Sequence, residues 1–312
     1  MRFPIVMTLF AVLVAACGAT GGAPSPSTTA PTTSGYEGWP PNATFELIPI
    51  PVSTELVVGQ NRLLVNLVTS ENEPLADPNR PVDIQLYDLV ADADTPAITA
   101  AATYLPTVED RPGLYRAQVD FPRAGEWGLE TIAHESDGST RSGRMVFQVR
   151  ETGSTPAIGA PAISSETPTA DTAEEIAQIS TDQEPDADFY RESVDQALEA
   201  GAPFTLIFAT PAFCTTAACG PTLDLIKAAA ADYKDQMSFI HVEPYKLTNV
   251  EGRLQPELDD RNLPIPIDAV NQWGLRTEPY VFVVDGEGKV SAKFEGIASD
   301  EELRAAFDAV TD

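Results

Sequence analysis

The stretch that most constrains this chain is 204–225, FTLIFATPAFCTTAACGPTLDL. An apolar run rich in β-formers, Phe204 to Ala209, leads into a short loop carrying Cys214; Cys219 follows five residues later, then Gly220-Pro221 and a helical pattern. A strand that brings one thiol to the mouth of a helix, with a second thiol in reach, is a redox arrangement. The chain has 3 cysteines. The third, Cys17, lies in a processing signal, which leaves Cys214 and Cys219 to each other.

The spacing of the pair is informative. In a regular helix, residues five apart are separated by about 7.5 Å along the axis, at 1.5 Å per residue. Disulfide α-carbons lie about 4.4–6.8 Å apart, so the two cysteines cannot share one unbroken helix and still bond. Pro221 disfavours helical geometry at Gly220 and suits the first helical position. The spacing therefore predicts a loop over Thr215–Gly220, with both sulfurs near a helix N-terminus whose dipole stabilises thiolate. A disulfide closing so small a ring removes little denatured-state entropy and makes a poor staple.

The N-terminus predicts the compartment. After Arg2, the apolar run Phe3 to Val14 is too short to span a bilayer but fits a signal-peptide core. It ends in Val14-Ala15-Ala16-Cys17, which resembles the lipobox of bacterial lipoproteins. That resemblance implies a signal peptide over 1–16 and a diacylglycerol-modified Cys17 at the mature N-terminus, anchoring the chain to the cell membrane and facing the extracytoplasmic space. The formal net charge of −28 argues against nucleic acid as a partner and against electrostatic docking on anionic lipid. Residues 17–41 are Gly, Ala, Pro, Ser and Thr-rich and are expected to form a flexible tether.

Period-two patterning runs through 42–150. Leu63, Val65 and Leu67 alternate with polar residues, as do Val82, Ile84 and Leu86, then Tyr115, Ala117, Val119 and Phe121, and last Met145, Phe147 and Val149. Turn-forming clusters separate these runs, so the segment is expected to be an antiparallel β-sandwich. VVGQNRLLVNL, GLYRAQVDFPRAGEWGLE and MVFQV together resemble the small immunoglobulin-like domains of extracytoplasmic metal-homeostasis and oxidase-assembly proteins. His134 is the one histidine here, with no Met-rich stretch, so copper binding by this domain is not expected.

Residues 151–188 carry only acidic charges and several prolines, and read as an extended linker, with a part that straps onto the following unit. From 189 to 312 the patterns give a helix stripe at Tyr190, Val194 and Leu198, the strand Phe204–Ala209, the dithiol, a helix to about Asp235 and a strand at Ser238–Glu243. Then come an irregular stretch over 244–266, a short helix, a hairpin around Asp285-Gly286-Glu287-Gly288, and a last helix opened by the capping-box spacing of Ser299 and Glu302.

This order, with WGLRTEPYVFVVDGEGKV and FATPAFC, resembles the thioredoxin family, and the fold class expected is a multidomain chain: an N-terminal all-β immunoglobulin-like sandwich followed by a C-terminal α/β thioredoxin-like domain. The resemblance implies a cis-proline at Pro279 facing the dithiol, Phe213 where thioredoxins carry tryptophan, Cys214 as attacking thiol and Cys219 as resolving thiol, with the reverse assignment left open by Cys219-Gly220-Pro221. The first core strand lacks the family's usual buried acid, which leaves His241 and Glu278 as alternative proton acceptors. Three functions remain open. One is a membrane-anchored thiol–disulfide oxidoreductase acting on extracytoplasmic protein thiols or disulfides without a cofactor. Another is a metallochaperone or cytochrome oxidase assembly factor holding copper(I) through Cys214, Cys219 and His241. The last is a non-catalytic binding lipoprotein.

Overall fold

The computed structural model describes Tyr36, Gly38, Trp39, 46–107 and 111–311. The signal peptide, Cys17 and the tether therefore lie outside the described residues, apart from Tyr36, Gly38 and Trp39. Residues Tyr36–Asp312 form one compact unit. No described helix is long and apolar enough to cross a membrane.

The first part is a single antiparallel sheet of seven strands: β1 (Ile48–Pro51), β2 (Gly59–Val68), β3 (Val82–Asp88), β4 (Ile98–Leu105), β5 (Leu114–Phe121), β6 (Gly125–His134) and β7 (Thr140–Val149). Their spatial order is β1-β2-β5-β4-β3-β6-β7. Alternation decides the buried face. Leu63, Val65, Leu67, Val82, Ile84, Leu86, Tyr115, Ala117, Val119, Phe121 and Val149 are all buried, around a fully buried Trp127. Met145 and Phe147, nearer the margin, are only partly buried. The expected sandwich of two facing sheets is corrected here. The sheet rolls up until its ends meet: Arg150 N donates to Leu56 O at 3.0 Å and Val58 N to Arg150 O at 3.0 Å. Gly143 permits the approach, because a Cβ there would collide with the Leu47 carbonyl.

The segment after β7 is held along its length. Gly159 N donates to Val290 O (2.7 Å), Ala162 N to Gly288 O (2.8 Å), and Ala170 N to Tyr190 O (2.8 Å). It contains α1 (Ala173–Ile179), opened by a capping box between Thr172 and Glu175. Its charges do more than solvate the chain: Asp182 pairs with Lys227 at 2.7 Å, and Asp186 with Lys234 at 2.5 Å. The strap that the sequence placed on part of this segment extends over most of it.

Next come a 3-10 turn at Ala187–Tyr190, α2 (Val194–Ala200), β8 (Phe204–Phe208), α3 (Cys219–Ala230), β9 (Ser238–Val242), β10 (Leu247–Val250), β11 (Arg253–Pro256), α4 (Asp268–Gln272), β12 (Tyr280–Val284), β13 (Val290–Glu295) and α5 (Asp300–Thr311). The helix stripe expected from Tyr190 is interrupted after that residue. The stretch 244–266 holds a hairpin, β10 paired with β11, that proline punctuation hid. A four-stranded sheet runs β13-β12-β8-β9, with β8 parallel to β9 and antiparallel to β12. Short helices cover it: α3 and α5 share a core with Ile207 and Val281, and α2 and α4 share one with Leu206 and Phe282.

Strand accounts for 36% of the structure and helix for 18%. The class expected from sequence, a sandwich followed by an α/β thioredoxin-like domain, is thus corrected to a mainly β chain. The element order follows the sequence patterns in outline, but the helices are short, two of them 7 residues and one 5. Element order alone overweights them.

One buried carboxylate joins the seven-stranded sheet to the last helix. Glu302 receives Arg62 through two hydrogen bonds, at 2.6 and 2.9 Å, and Arg116 at 2.8 Å, while also closing the predicted box with Ser299. Burial raises its pKa, but hydrogen bonding to Arg62 and the charge of that arginine, with Arg116, outweigh burial and pull it to about 2. Its stabilising contribution is therefore complete above pH 4.5 and lost as pH falls towards 2. Removing one partner of such a buried group costs about 3 kcal/mol or more. We expect Glu302→Ala to lose about that much in urea unfolding at pH 7, with the difference shrinking between pH 4.5 and 2; equal midpoints at pH 7 would show that Glu302 does not hold the sheet to α5.

Candidate functional site

The dithiol is positioned by β8. All five residues of this strand are buried, and Ala209 N continues the pairing to Val242 O at 3.1 Å. The chain then turns, with Phe213 N donating to Thr210 O at 3.2 Å. Cys214 follows in the loop, and α3 begins at Cys219. The helix therefore starts earlier than expected: the loop ends at Ala218, and Gly220 and Pro221 are helical. Ala217 takes a positive φ of 60° to fit the tight connection. Cys214 and Cys219 form a disulfide across a Cα separation of 5.9 Å, inside the usual window. Cys219 is buried at 0% exposure, whereas Cys214 is only partly buried.

The loop is clasped from the far side. The Thr216 hydroxyl lies 3.2 Å from Cys214 Sγ and donates to Glu278 O at 3.4 Å. The Glu278 carboxylate receives Tyr245 OH at 3.1 Å and Thr215 Oγ1 at 3.5 Å. Burial, followed by the charge of Glu278, pushes the Tyr245 hydroxyl up to about 12. The Glu278-Pro279 peptide bond is cis. Phe213 borders a groove of about 490 Å³ with Ile176, Arg253 and Leu254.

His241 is placed elsewhere than the sequence reading required. It is buried at 2% exposure. Its Nε2 lies 3.0 Å from Ala209 O, which can only accept, so Nε2 carries the proton and Nδ1 accepts from Tyr190 OH at 2.8 Å. Burial lowers its pKa to about 4. With both nitrogens occupied and the ring neutral, His241 is neither a proton exchanger near pH 7 nor a free metal ligand, and both expectations are corrected.

Sequence reasoning missed Glu243. It is 5% exposed. Its Oε1 accepts from Thr181 N at 2.7 Å and Thr181 Oγ1 at 2.5 Å, and Thr181 Oγ1 accepts from Ala212 N at 3.1 Å. Burial raises its pKa. A signal was present: Ile240 and Val242 alternate with His241 and Glu243, which puts two titratable groups on one face of a buried strand. Among the described residues, no group of three or more His, Cys, Asp or Glu is arranged to hold a metal ion.

No family model matches the chain, and no curated protein does. Solved structures similar to it include CopC from Methylosinus trichosporium OB3b, at 18% identity and a TM-score of 0.20, covering 34% of this chain and 96% of that one. Another is the soluble domain of PmoD from Methylocystis sp. ATCC 49242 (Rockwell), at 12% identity and a TM-score of 0.18, covering 33% of this chain and 88% of that one. The expected membership of the thioredoxin family is corrected accordingly. No family model supports it, and the chain is mainly β, with short helices.

The histidine has a measurable consequence. Between pH 6.5 and about 4 the unfolded chain binds a proton that the folded chain refuses, so stability is complete above 6.5 and falls on acidification. Across that range the loss comes to about 3 kcal/mol, since each pH unit is worth about 1.4 kcal/mol. A His241→Gln variant should lack this part of the pH slope in chemical denaturation; an unchanged slope would place the titration elsewhere.

Proposed function

We propose that the chain is an extracytoplasmic copper-handling protein that carries Cu(I) on the thiolates of Cys214 and Cys219 when their disulfide is reduced. The observation that carries this reading is the pair of sulfurs itself: adjacent, half-accessible through Cys214, and set at the start of α3. Soft thiolates select Cu(I) over hard divalent ions. A structural zinc site would require four ligands, whereas monovalent copper accepts two. The donor set is therefore Cys214 and Cys219 alone, without His241.

The chemistry balances simply. Two external thiols, themselves oxidised to a disulfide, or a phosphine, oxidised to its oxide while water supplies the oxygen and two protons, convert the disulfide to two thiols, and binding of Cu(I) then releases both protons. The helix N-terminus favours the thiolates. Thr216, bonded to Glu278, holds the loop while the sulfurs move apart. In this reading Cys17 carries diacylglycerol and keeps the protein at the membrane, and the copper passes to or from thiol-bearing extracytoplasmic proteins.

Anaerobic titration of the phosphine-reduced chain with Cu(I), in competition with a colorimetric chelator, tests the proposal. One Cu(I) per chain is expected, with none on the disulfide form. Cys214→Ser and Cys219→Ser should each weaken binding beyond the 10–100-fold, in order of magnitude, that loss of an outer-shell partner costs. Absence of stoichiometric binding by the reduced parent, or parent-like binding by Cys214→Ser, overturns it.

A further inference from the structure

Strand β13 carries a lysine that the fold half buries without pairing it. In VSAKFE, alternation sets Lys293 and Glu295 on one face and Ala292 and Phe294 on the other. Lys293 Nζ donates to Thr155 Oγ1 at 2.9 Å. Among the described residues, no carboxylate oxygen comes within 4.0 Å of it. Glu295 cannot serve, because both of its oxygens are taken: by the Thr54 amide at 3.0 Å, by the Thr54 hydroxyl, and by the Thr277 hydroxyl at 3.0 Å. An ammonium has three donors, and a half-buried one left short of acceptors is costly.

A matching deficiency lies one hydroxyl away. Glu55 Oε2 accepts from Thr155 Oγ1 at 3.1 Å and from Thr155 N at 3.3 Å, while its Oε1 is buried with no hydrogen-bond partner among the described residues. Gly153 makes room for this carboxylate, since a Cβ there would overlap Oε1. Thr155 therefore stands between two opposite charges, bonded to each, and holds them roughly 4–6 Å apart, the span of two hydrogen bonds. That is too far for direct pairing and close enough for one small molecule to bridge.

Both groups border a cavity of about 400 Å³ between the rolled sheet and the C-terminal part of the chain, which includes no residue of the dithiol loop. We propose that this cavity binds a small zwitterion, an α-amino acid with a neutral, apolar side chain, whose carboxylate meets Lys293 and whose ammonium meets Glu55. The site rests neither on copper nor on the redox state of the cysteines.

Charge, size and wall chemistry select this class. The lining carries four carboxylates, Glu55, Glu295, Glu301 and Glu302, against Arg62, Arg116 and Lys293. Arg62 and Arg116 are already engaged by Glu302. A simple anion would enter a site with an excess of negative charge, and a simple cation would meet Lys293; a molecule bearing both charges is matched at each end. Burial lowers the Lys293 pKa and the charges of Glu55 and Glu295 oppose this, so a ligand carboxylate at Nζ adds to them in favouring the ammonium. The volume is at the small end of the roughly 300–1,000 Å³ of ligand pockets. Ala292, Ala305 and Ile158 complete the lining with apolar wall, which suits an aliphatic side chain and offers a charged one no partner.

Equilibrium dialysis of the full chain, in its disulfide form, with radiolabelled L-leucine and L-alanine tests the proposal. Saturable binding of one molecule per chain is expected for at least one of them, with half-saturation below about 1 mM. The N-acetylated form of the amino acid that binds lacks the ammonium, and its amide lacks the carboxylate; each should compete at least about tenfold more weakly, as loss of a charge-assisted hydrogen bond requires. Lys293→Met and Glu55→Gln should each weaken binding by a similar factor. Absence of saturable binding of either amino acid to the parent, or capped forms that compete as well as the free amino acid, overturns the proposal. These outcomes are read on the parent, so they decide the matter even where a variant does not fold. Parent-like binding by a folded Lys293→Met overturns it as well. The copper titration reads a different set of residues, so the two readings fail separately.

Discussion

Complete burial of β8 is the constraint on which the rest of the site depends. A five-residue strand buried on both faces, parallel to β9 on one side and antiparallel to β12 on the other, has no freedom to slide, because a shift by one residue would exchange its two faces between different cores. Leu206 and Phe208 serve one core, Thr205 and Ile207 face the other way, and Ile207 lies in the core with α3 and α5. The end of the strand is fixed by this packing, so the loop that follows presents Cys214 at one place. The mouth of α3 then brings Cys219 to it.

Around that fixed point, the structure uses charge sparingly and in buried or half-buried positions. A chain of net charge −28 has few cations to spend, and several of them join segments far apart in sequence. Arg62 and Arg116 tie the rolled sheet to α5 through Glu302. Lys227 and Lys234 tie α3 and its C-terminal continuation to the acidic strap. The strap in turn supplies Ser180 and Thr181 to the buried polar groups under the dithiol. Acidity spread over the linker thus becomes a set of docking points, because each carboxylate near a lysine lowers the cost of bringing the strap down onto the fold.

Much of this was legible in the residues. The period-two runs located the buried face of the first sheet, down to Val65, Ile84 and Phe121, because alternation follows directly from strand geometry. Ser299 and Glu302 announced the cap of α5, since a capping box is local. The spacing of Cys214 and Cys219 excluded a shared helix. What alternation could not reveal was whether the strands form two facing sheets or one that rolls onto itself, because both bury one face of every strand. Nor could element order weigh five- and seven-residue helices against the many strands. His241 and Glu243 were both visible as polar residues on a buried strand, but which nitrogen or oxygen would be satisfied depends on Tyr190, Ser180 and Thr181, some 50 to 60 residues away in sequence.

The sequence by itself therefore determined the local terms: which residues alternate, where the last helix is capped, and that two thiols stand together at the end of a strand. These follow from backbone geometry over a few residues. Only the tertiary structure decided that the strap lies against the dithiol turn, that His241 is locked between Ala209 and Tyr190, and that Glu243 supports Ala212 through Thr181. Those outcomes depend on long-range packing, where the cost of leaving a buried polar group unpaired selects partners that no local pattern can name.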